Sequence, residues 1–309
     1  MGRALLTCLL AAVVASAGSC GGSNIGPTPP PGGGNSGNGG GGGNPNPPAN
    51  NKPVIESITV QGTRPRQPAN FADLGESIPV SAKVRDDETA VDQLVYTWTA
   101  TAGTFTGTGA SVTWQAPATA PAAVEGLTPA TMTITLTITE KFGHPGQPLS
   151  FEHSVSSTAD VALHDSAKEV GDMSRQFLLD FSDTNIKDAN YIMRNFGSRS
   201  FCPEPGEVDS EFEDVIRNFT FQRITNFGIG QAATTVNFEG RCPVFNSRGD
   251  ACAVVPVFWD SINVVTGNRT FSSGNDIIAA SYSKTEKRWW LCASRYQIFS
   301  VIGARPAIR

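Results

Sequence analysis

"HDSAKEVGDMSRQFLLDFS", residues 164–182, is where the chain changes its period and so decides the fold. Before it, apolar residues recur every second position. Within it, Val170, Met173, Phe177, Leu178 and Phe181 recur at helical spacing and form one apolar stripe. Ser166, three residues before Glu169, reads as the N-cap of a capping box that opens the helix. Two regions with different periodicities imply two architectures in one chain, which places a boundary between residues 163 and 164.

Upstream, "IPVSAKV" (78–84) sets Ile78, Val80, Ala82 and Val84 on one face, and "LVYTWTA" (94–100) does the same with Leu94, Tyr96, Trp98 and Ala100. "TITLTIT" (133–139) alternates strictly, with Ile134, Leu136 and Ile138 inward. Alternation rich in β-branched residues marks half-buried strands, and Gly103, Gly107, Gly109 and the proline-rich 117–129 stretch punctuate them. Many short strands over 53–163 predict a β-sandwich. "RDDET" (85–89) groups three acids, but without the alternating spacing of an EF-hand loop, and reads as a solvated turn.

Downstream, Ala189–Phe196 predicts a second helix burying Ile192, Met193 and Phe196. Residues 208–218 predict a third, with Phe212, Val215 and Ile216 inward. From Phe219 onward long strands take over, with turns expected at Asn218, Gly249-Asp250, Gly267-Asn268, Gly274-Asn275 and Thr285-Glu286. Helices followed by a meander predict an α+β domain over 164–302, its helices packed on a curved antiparallel sheet, with 303–309 as a tail. In "EKRWWLCASRY" (286–296) neighbouring strand residues point to opposite faces. Trp289 should therefore join Leu291 and Ala293, and Trp290 should join Cys292, Ser294 and Tyr296. One tryptophan is expected to be core and the other to need separate cover.

The ends of the chain carry different information. Residues 4–17 form an apolar run after Arg3, too short for a ~30 Å hydrocarbon core and of signal-peptide length. Ala17-Gly18-Ser19-Cys20 resembles the lipobox of bacterial lipoproteins, with Ala17 where leucine is usual. That resemblance implies that residues 1–20 are a lipoprotein signal cut just before Cys20, which becomes the new N-terminus and carries the lipid anchor, and that the location is the cell envelope, on the outer membrane. Residues 21–52 are nearly all Gly, Pro, Asn and Ser, a composition that predicts a disordered tether spanning roughly 30 Å. Four cysteines remain beyond it, for which the favoured pairing is Cys242–Cys252 and Cys202–Cys292. The second closes a loop of ~90 residues and contributes up to about 4.6 kcal/mol in the chain-entropy model. CxxC and HxxxH spacings are absent, so zinc is not expected.

Tyr96-x-Trp98, "GTFTGTGASVTWQAP" (103–117) and "TITLTITE" (133–140) resemble bacterial immunoglobulin-like and polycystic-kidney-disease (PKD) domains. The resemblance implies that Trp98 packs between the sheets, although the Gly-Asp-Gly turn common in PKD repeats is missing. The order of elements after 164, ending in "KRWWLCASRYQ", resembles the cone-shaped nuclear transport factor 2-like superfamily, which includes isomerases, dehydratases and non-catalytic binding domains.

Net charge is −5 with no basic run, which argues against nucleic acid as a partner. Asp180, Tyr191, Trp259, Asp260, Tyr282, Trp289, Trp290 and Tyr296 are the residues placed to line a pocket or interface. They form no dyad at defined spacing, and Asp180 reads as a solvated helix residue. His144, His153 and His164 precede or border the second region, and no nucleotide, hydrolase or metalloprotease motif is present. The expectation is a non-catalytic envelope lipoprotein that needs no cofactor or metal. It would bind a glycan or an envelope protein, and its membrane contact would be the lipid on Cys20. A small-molecule binder or enzyme using the cone cavity is the alternative, and a structural spacer the second.

Overall fold

The computed structural model describes residues 47–121, 129–242 and 247–302, with side chains up to Phe299. Cys20, the signal stretch and most of the predicted tether lie outside the described residues. The described residues all belong to one compact unit, Pro47–Arg309. Asn50 and Asn51, expected to be tether, are already held: their amides donate to Glu140 at 2.7 Å and Glu88 at 2.6 Å.

Eight strands come first: β1 (Val54–Val60), β2 (Phe71–Asp73), β3 (Ser77–Arg85), β4 (Val95–Ala100), β5 (Thr104–Thr106), β6 (Ser111–Gln115), β7 (Ala130–Phe142) and β8 (Phe151–His164). They form two four-stranded sheets ordered β1-β3-β6-β5 and β2-β8-β7-β4. Ile78, Val80 and Trp114 from one sheet share a core with Met132, Ile134 and Val161 from the other. The strict alternation in β7 gives this sandwich its inward row, since Met132, Ile134, Leu136 and Ile138 are all at most 1% exposed. Trp98 does pack on this core, against Phe105 of the facing sheet, but the tryptophan fully enclosed here is Trp114. Trp114 donates its indole N–H to the Ala102 carbonyl at 3.1 Å, whereas Trp98 is half-buried near the edge strand β5 and donates to the Gly109 carbonyl. Trp98 lies on β4, which ends its sheet, so no further strand covers its outer flank. At Gly103 (φ +86°) a Cβ would lie 2.4 Å from Trp114 Nε1, so only glycine lets the chain pass that ring.

Three helices follow: α1 (Ser166–Ser182), α2 (Ala189–Ile192) and α3 (Pro205–Phe221). The N-cap of α1 is Asp165 rather than Ser166. The Asp165 carboxylate accepts from Lys168 N, and Glu169 reaches back to Asp165 N at 3.1 Å. Ser166 is instead engaged in the interior, as described below. α2 is a single turn, because the chain leaves it to lay Phe196 beside Leu291 of the sheet, with Gly197 N donating to Leu291 O at 2.8 Å. α3 is longer than the apolar stripe indicated. Pro205 starts it, where a missing N–H costs nothing, and it continues through Asn218 to Phe221.

The last sheet contains β9 (Gln222–Ile229), β10 (Ala233–Val236), β11 (Ala251–Asn263), β12 (Arg269–Ser283) and β13 (Arg288–Ile302). Its order is β10-β11-β12-β13, and β9 lies along the same edge of β11 as β10, beyond it. Pro256 sits in the gap between the two partners, where its missing N–H breaks no ladder bond. Gly274-Asn275 is not a turn but the interior of β12. The register shifts there, and a Cβ on Gly274 would meet the Gln297 carbonyl at 2.0 Å. The helices cover one face through Phe177, Leu178, Ile192 and Val215 against Val255, Val257, Ile278 and Leu291. The other face carries a smaller core around Cys242, Cys252, Ile277 and Ala293.

Both cysteine pairs are formed as expected, with Cα–Cα separations of 5.4 Å for Cys202–Cys292 and 5.3 Å for Cys242–Cys252. Two disulfides indicate an oxidising, non-cytoplasmic compartment. Among the described residues no helix is long and apolar enough to cross a membrane.

A bulge corrects the strand parity expected near the C-terminus. Ala280 pairs with Leu291 and Ala279 with Ala293, so Cys292 is the extra residue. Beyond it the faces exchange. Ala293 lies with the disulfide face, while Ser294 and Tyr296 turn toward the helices.

Candidate functional site

The two ends of β12 and β13 carry different chemistry. At one end the sandwich meets the helices. Phe71 of β2 inserts into the α+β core, stacked on His164 (centroids 4.8 Å apart, planes at 14°) and edge-on to Tyr282 at 4.8 Å and Phe238 at 5.1 Å. Trp289 closes the cluster at 1% exposure and donates its indole N–H to Ser166 Oγ at 3.1 Å. This is why Ser166 does not serve as the cap. Phe238 holds φ +55°, an unfavourable conformation for an aromatic residue, and its ring is locked in this cluster. The Arg64 guanidinium lies 4.8 Å above Phe238 and pairs with Asp73 at 2.8 Å and Glu76 at 2.7 Å.

His164 is buried with both ring nitrogens engaged. Nδ1 meets the Glu169 carboxylate at 3.0 Å and Nε2 meets the Tyr282 hydroxyl at 3.1 Å. An ionised carboxylate can only accept, so in the neutral ring Nδ1 carries the proton and Nε2 accepts from Tyr282. Burial, followed by the charges of Glu169 and Asp73, pushes the Tyr282 phenol well up, which keeps it a donor. Beside this cluster a cleft of about 770 Å³ opens. Leu74, Ala118, Ala120 and Met173 form its apolar wall, and Lys168, Glu169, Asp172 and Arg288 supply charges of both signs.

At the other end, α3 brings Glu211 against Asp276 of β12 and Ser294 and Tyr296 of β13. Phe177, Phe181 and Trp259 wall a pocket of about 120 Å³ around them. Trp259 and Tyr296 lie together, with ring centroids 4.4 Å apart. Ser294 donates to Asp276 Oδ1 at 2.9 Å. Burial pushes Asp276 up to about 6 against that hydrogen bond and one from Ile277 N. Burial, then the Asp276 and Asp214 charges, hold Glu211 well above the usual carboxylate range. Tyr296 is also raised, by burial and then by Asp276, and its buried hydroxyl has no partner among the described residues.

Of the residues singled out in the sequence, the structure brings Trp259 and Tyr296 together at one end and Tyr282 and Trp289 together at the other, and places the remaining four apart from both pairs. Asp260 is on the opposite face, paired with Arg269 at 3.1 Å. Tyr191 is exposed on α2, with the Arg194 guanidinium 4.2 Å above its ring. Trp290 is on the disulfide face, covered by Arg288 at 3.8 Å and donating to Glu286 at 2.8 Å. Asp180 is not solvated: it is 6% exposed, paired with Arg194, and accepts from Gln176. Nothing in the sequence marks Glu211 or Asp276. Glu211 looks like one more acid in "EVDSEFED", and Asp276 adjoins a dipeptide that reads as a turn. In the "RDDET" turn, Asp86 Oδ1 accepts from Glu88 N and Thr89 N, and Asp87 pairs with Arg85. No family model matches the chain, and no curated protein or solved structure matches it either.

Proposed function

We propose that this chain is an exported, lipid-anchored protein of the outer membrane, carried on residues 21–46, that binds an envelope protein without catalysis. In this reading the first eight strands are an immunoglobulin-like sandwich and the rest a nuclear transport factor 2-like domain. The cleft at their junction is the binding seat. The observation that carries it is that cleft: its volume lies in the usual range for ligand sites, and it stands on a frame in which both regions share one aromatic cluster. The space between helices and sheet, where a cone enzyme would bind substrate, is filled by Phe177, Leu178, Val215 and Ile278, each at most 2% exposed. The 120 Å³ left at the far end is below the size of an ordinary substrate site. A mixed-charge protein segment suits the cleft better than a glycan. Sugars stack on open aromatic faces, whereas Trp289 is enclosed and Trp290 is capped by Arg288.

The test uses full-length protein in cell envelopes, with binding to purified envelope proteins and polysaccharides read separately. Met173→Arg, which fills the cleft, should lower protein binding at least tenfold while leaving membrane association intact. Cys20→Ser should release the chain to the soluble fraction and leave binding unchanged. Undiminished binding by Met173→Arg, or retention on polysaccharide alone, contradicts the assignment.

A further inference from the structure

We propose that the pocket between α3 and the far end of β12 and β13 seats a primary alkylammonium group. This goes beyond the binding role assigned to the junction cleft and rests on different residues. The pocket joins two buried carboxyls, Glu211 and Asp276, and the exposed Asp214 with aromatic walls from Phe177, Phe181, Trp259 and Tyr296. Among the described residues no lysine or arginine lines it. The nearby cations are already paired, Arg217 with the exposed Asp214 at the pocket's edge and Arg295 with Glu207. Buried carboxylates without a counter-charge cost several kcal/mol, so the site favours either protons or a bound cation.

One hydroxyl serves both carboxyls, and a second hydroxyl has no partner among the described residues. Ser294 lies against both carboxyls but has one proton, which it gives to Asp276. Glu211, 9% exposed, also hydrogen-bonds with that hydroxyl, so the two carboxyls share one partner. The Tyr296 hydroxyl, also buried, has no partner among the described residues. An R–NH3+ group supplies three donors, enough for Glu211, Asp276 and Tyr296 together. Its alkyl stem and charge suit aromatic faces.

The volume of 120 Å³ equals about four waters, room for a two- or three-atom ammonium head but not for a bulky amine. A hard metal ion fits less well. Calcium needs about six to eight oxygens, and among the described residues no group of acids, histidines or cysteines is arranged for a metal.

The pocket faces Glu211, Asp276, Asp214 and Tyr296, with Glu207 beside Glu211. Because Glu211 and Asp276 must be ionised to hold the cation, binding should strengthen with rising pH.

The probe is ethylammonium chloride, titrated into the purified folded protein by calorimetry and followed by Tyr and Trp NMR signals, with sodium chloride and ethanol as controls. Saturable binding at pH 8 that weakens at least tenfold at pH 5 is expected. Glu211→Gln should lose at least tenfold, and Tyr296→Phe, which keeps the packing, severalfold. Glu213→Gln, outside the pocket, should bind as the parent does. An N-acetyl-lysine amide that competes with ethylammonium would identify a protein lysine as the source, and failure to compete a free amine. Equal responses to sodium chloride or ethanol, or undiminished binding by both Glu211→Gln and Tyr296→Phe, would overturn the proposal.

Discussion

The same two strands, β12 and β13, end in aromatic clusters of opposite character. At the sandwich end, Trp289, Tyr282 and Phe71 surround His164, and the polar atoms of that group are matched: indole to Ser166, imidazole to Glu169 and Tyr282, guanidinium to Asp73 and Glu76. At the far end, Trp259 and Tyr296 surround Glu211 and Asp276, and matching is incomplete, with one hydroxyl orphaned and one serine proton for two carboxyls. A buried polar group that is fully paired fixes structure, whereas one that is not is held at a cost and points outward to a ligand or a proton. A histidine or an acid among aromatics therefore does not by itself mark a site. Its unmet hydrogen bonds do.

The largest expected effect tests the closed end. Phe71 belongs by sequence to the sandwich and by contact to the α+β core. Phe71→Ala should cost about 3–5 kcal/mol in chemical unfolding and should lower the stability of both regions, not of the sandwich alone. A loss confined to one region would break the comparison.

A smaller effect tests the open end. The Asp276 carboxyl is raised from 3.8 to about 6 in the folded protein. The folded state therefore keeps its proton after the unfolded chain has lost it. Stability that is full below pH 3.8 should fall by about 3 kcal/mol as pH rises to about 6, and then level off. Glu211 acts in the same direction. Asp276→Asn should flatten this slope, measured as the urea midpoint against pH. A slope that persists unchanged would assign it to other groups and remove the contrast between the two ends.

Much of this was legible in the sequence. Period-two rows gave β3, β4 and β7, the helical stripe gave α1, and the favoured one of the three possible cysteine pairings is the one formed. What escaped depended on contacts between segments far apart. A single extra residue, Cys292, exchanged the faces of Ser294 and Tyr296, and strict alternation cannot foresee a bulge. Trp114 rather than Trp98 became the enclosed tryptophan because β4 is an edge strand, and strand order is not local information. Glu211 sits among acids that resemble a solvated helix face, and only the packing of α3 on β13 reveals its burial. Phe71, in a three-residue strand, carried no periodic signal.

The sandwich and the α+β region, though different in period and architecture, should unfold as one body, joined through the cluster around His164. Differential scanning calorimetry of residues 47–309 with disulfides intact tests it most directly. One endotherm is expected, with calorimetric and van't Hoff enthalpies that agree. Two resolved transitions, or a calorimetric enthalpy about twice the van't Hoff value, would contradict it.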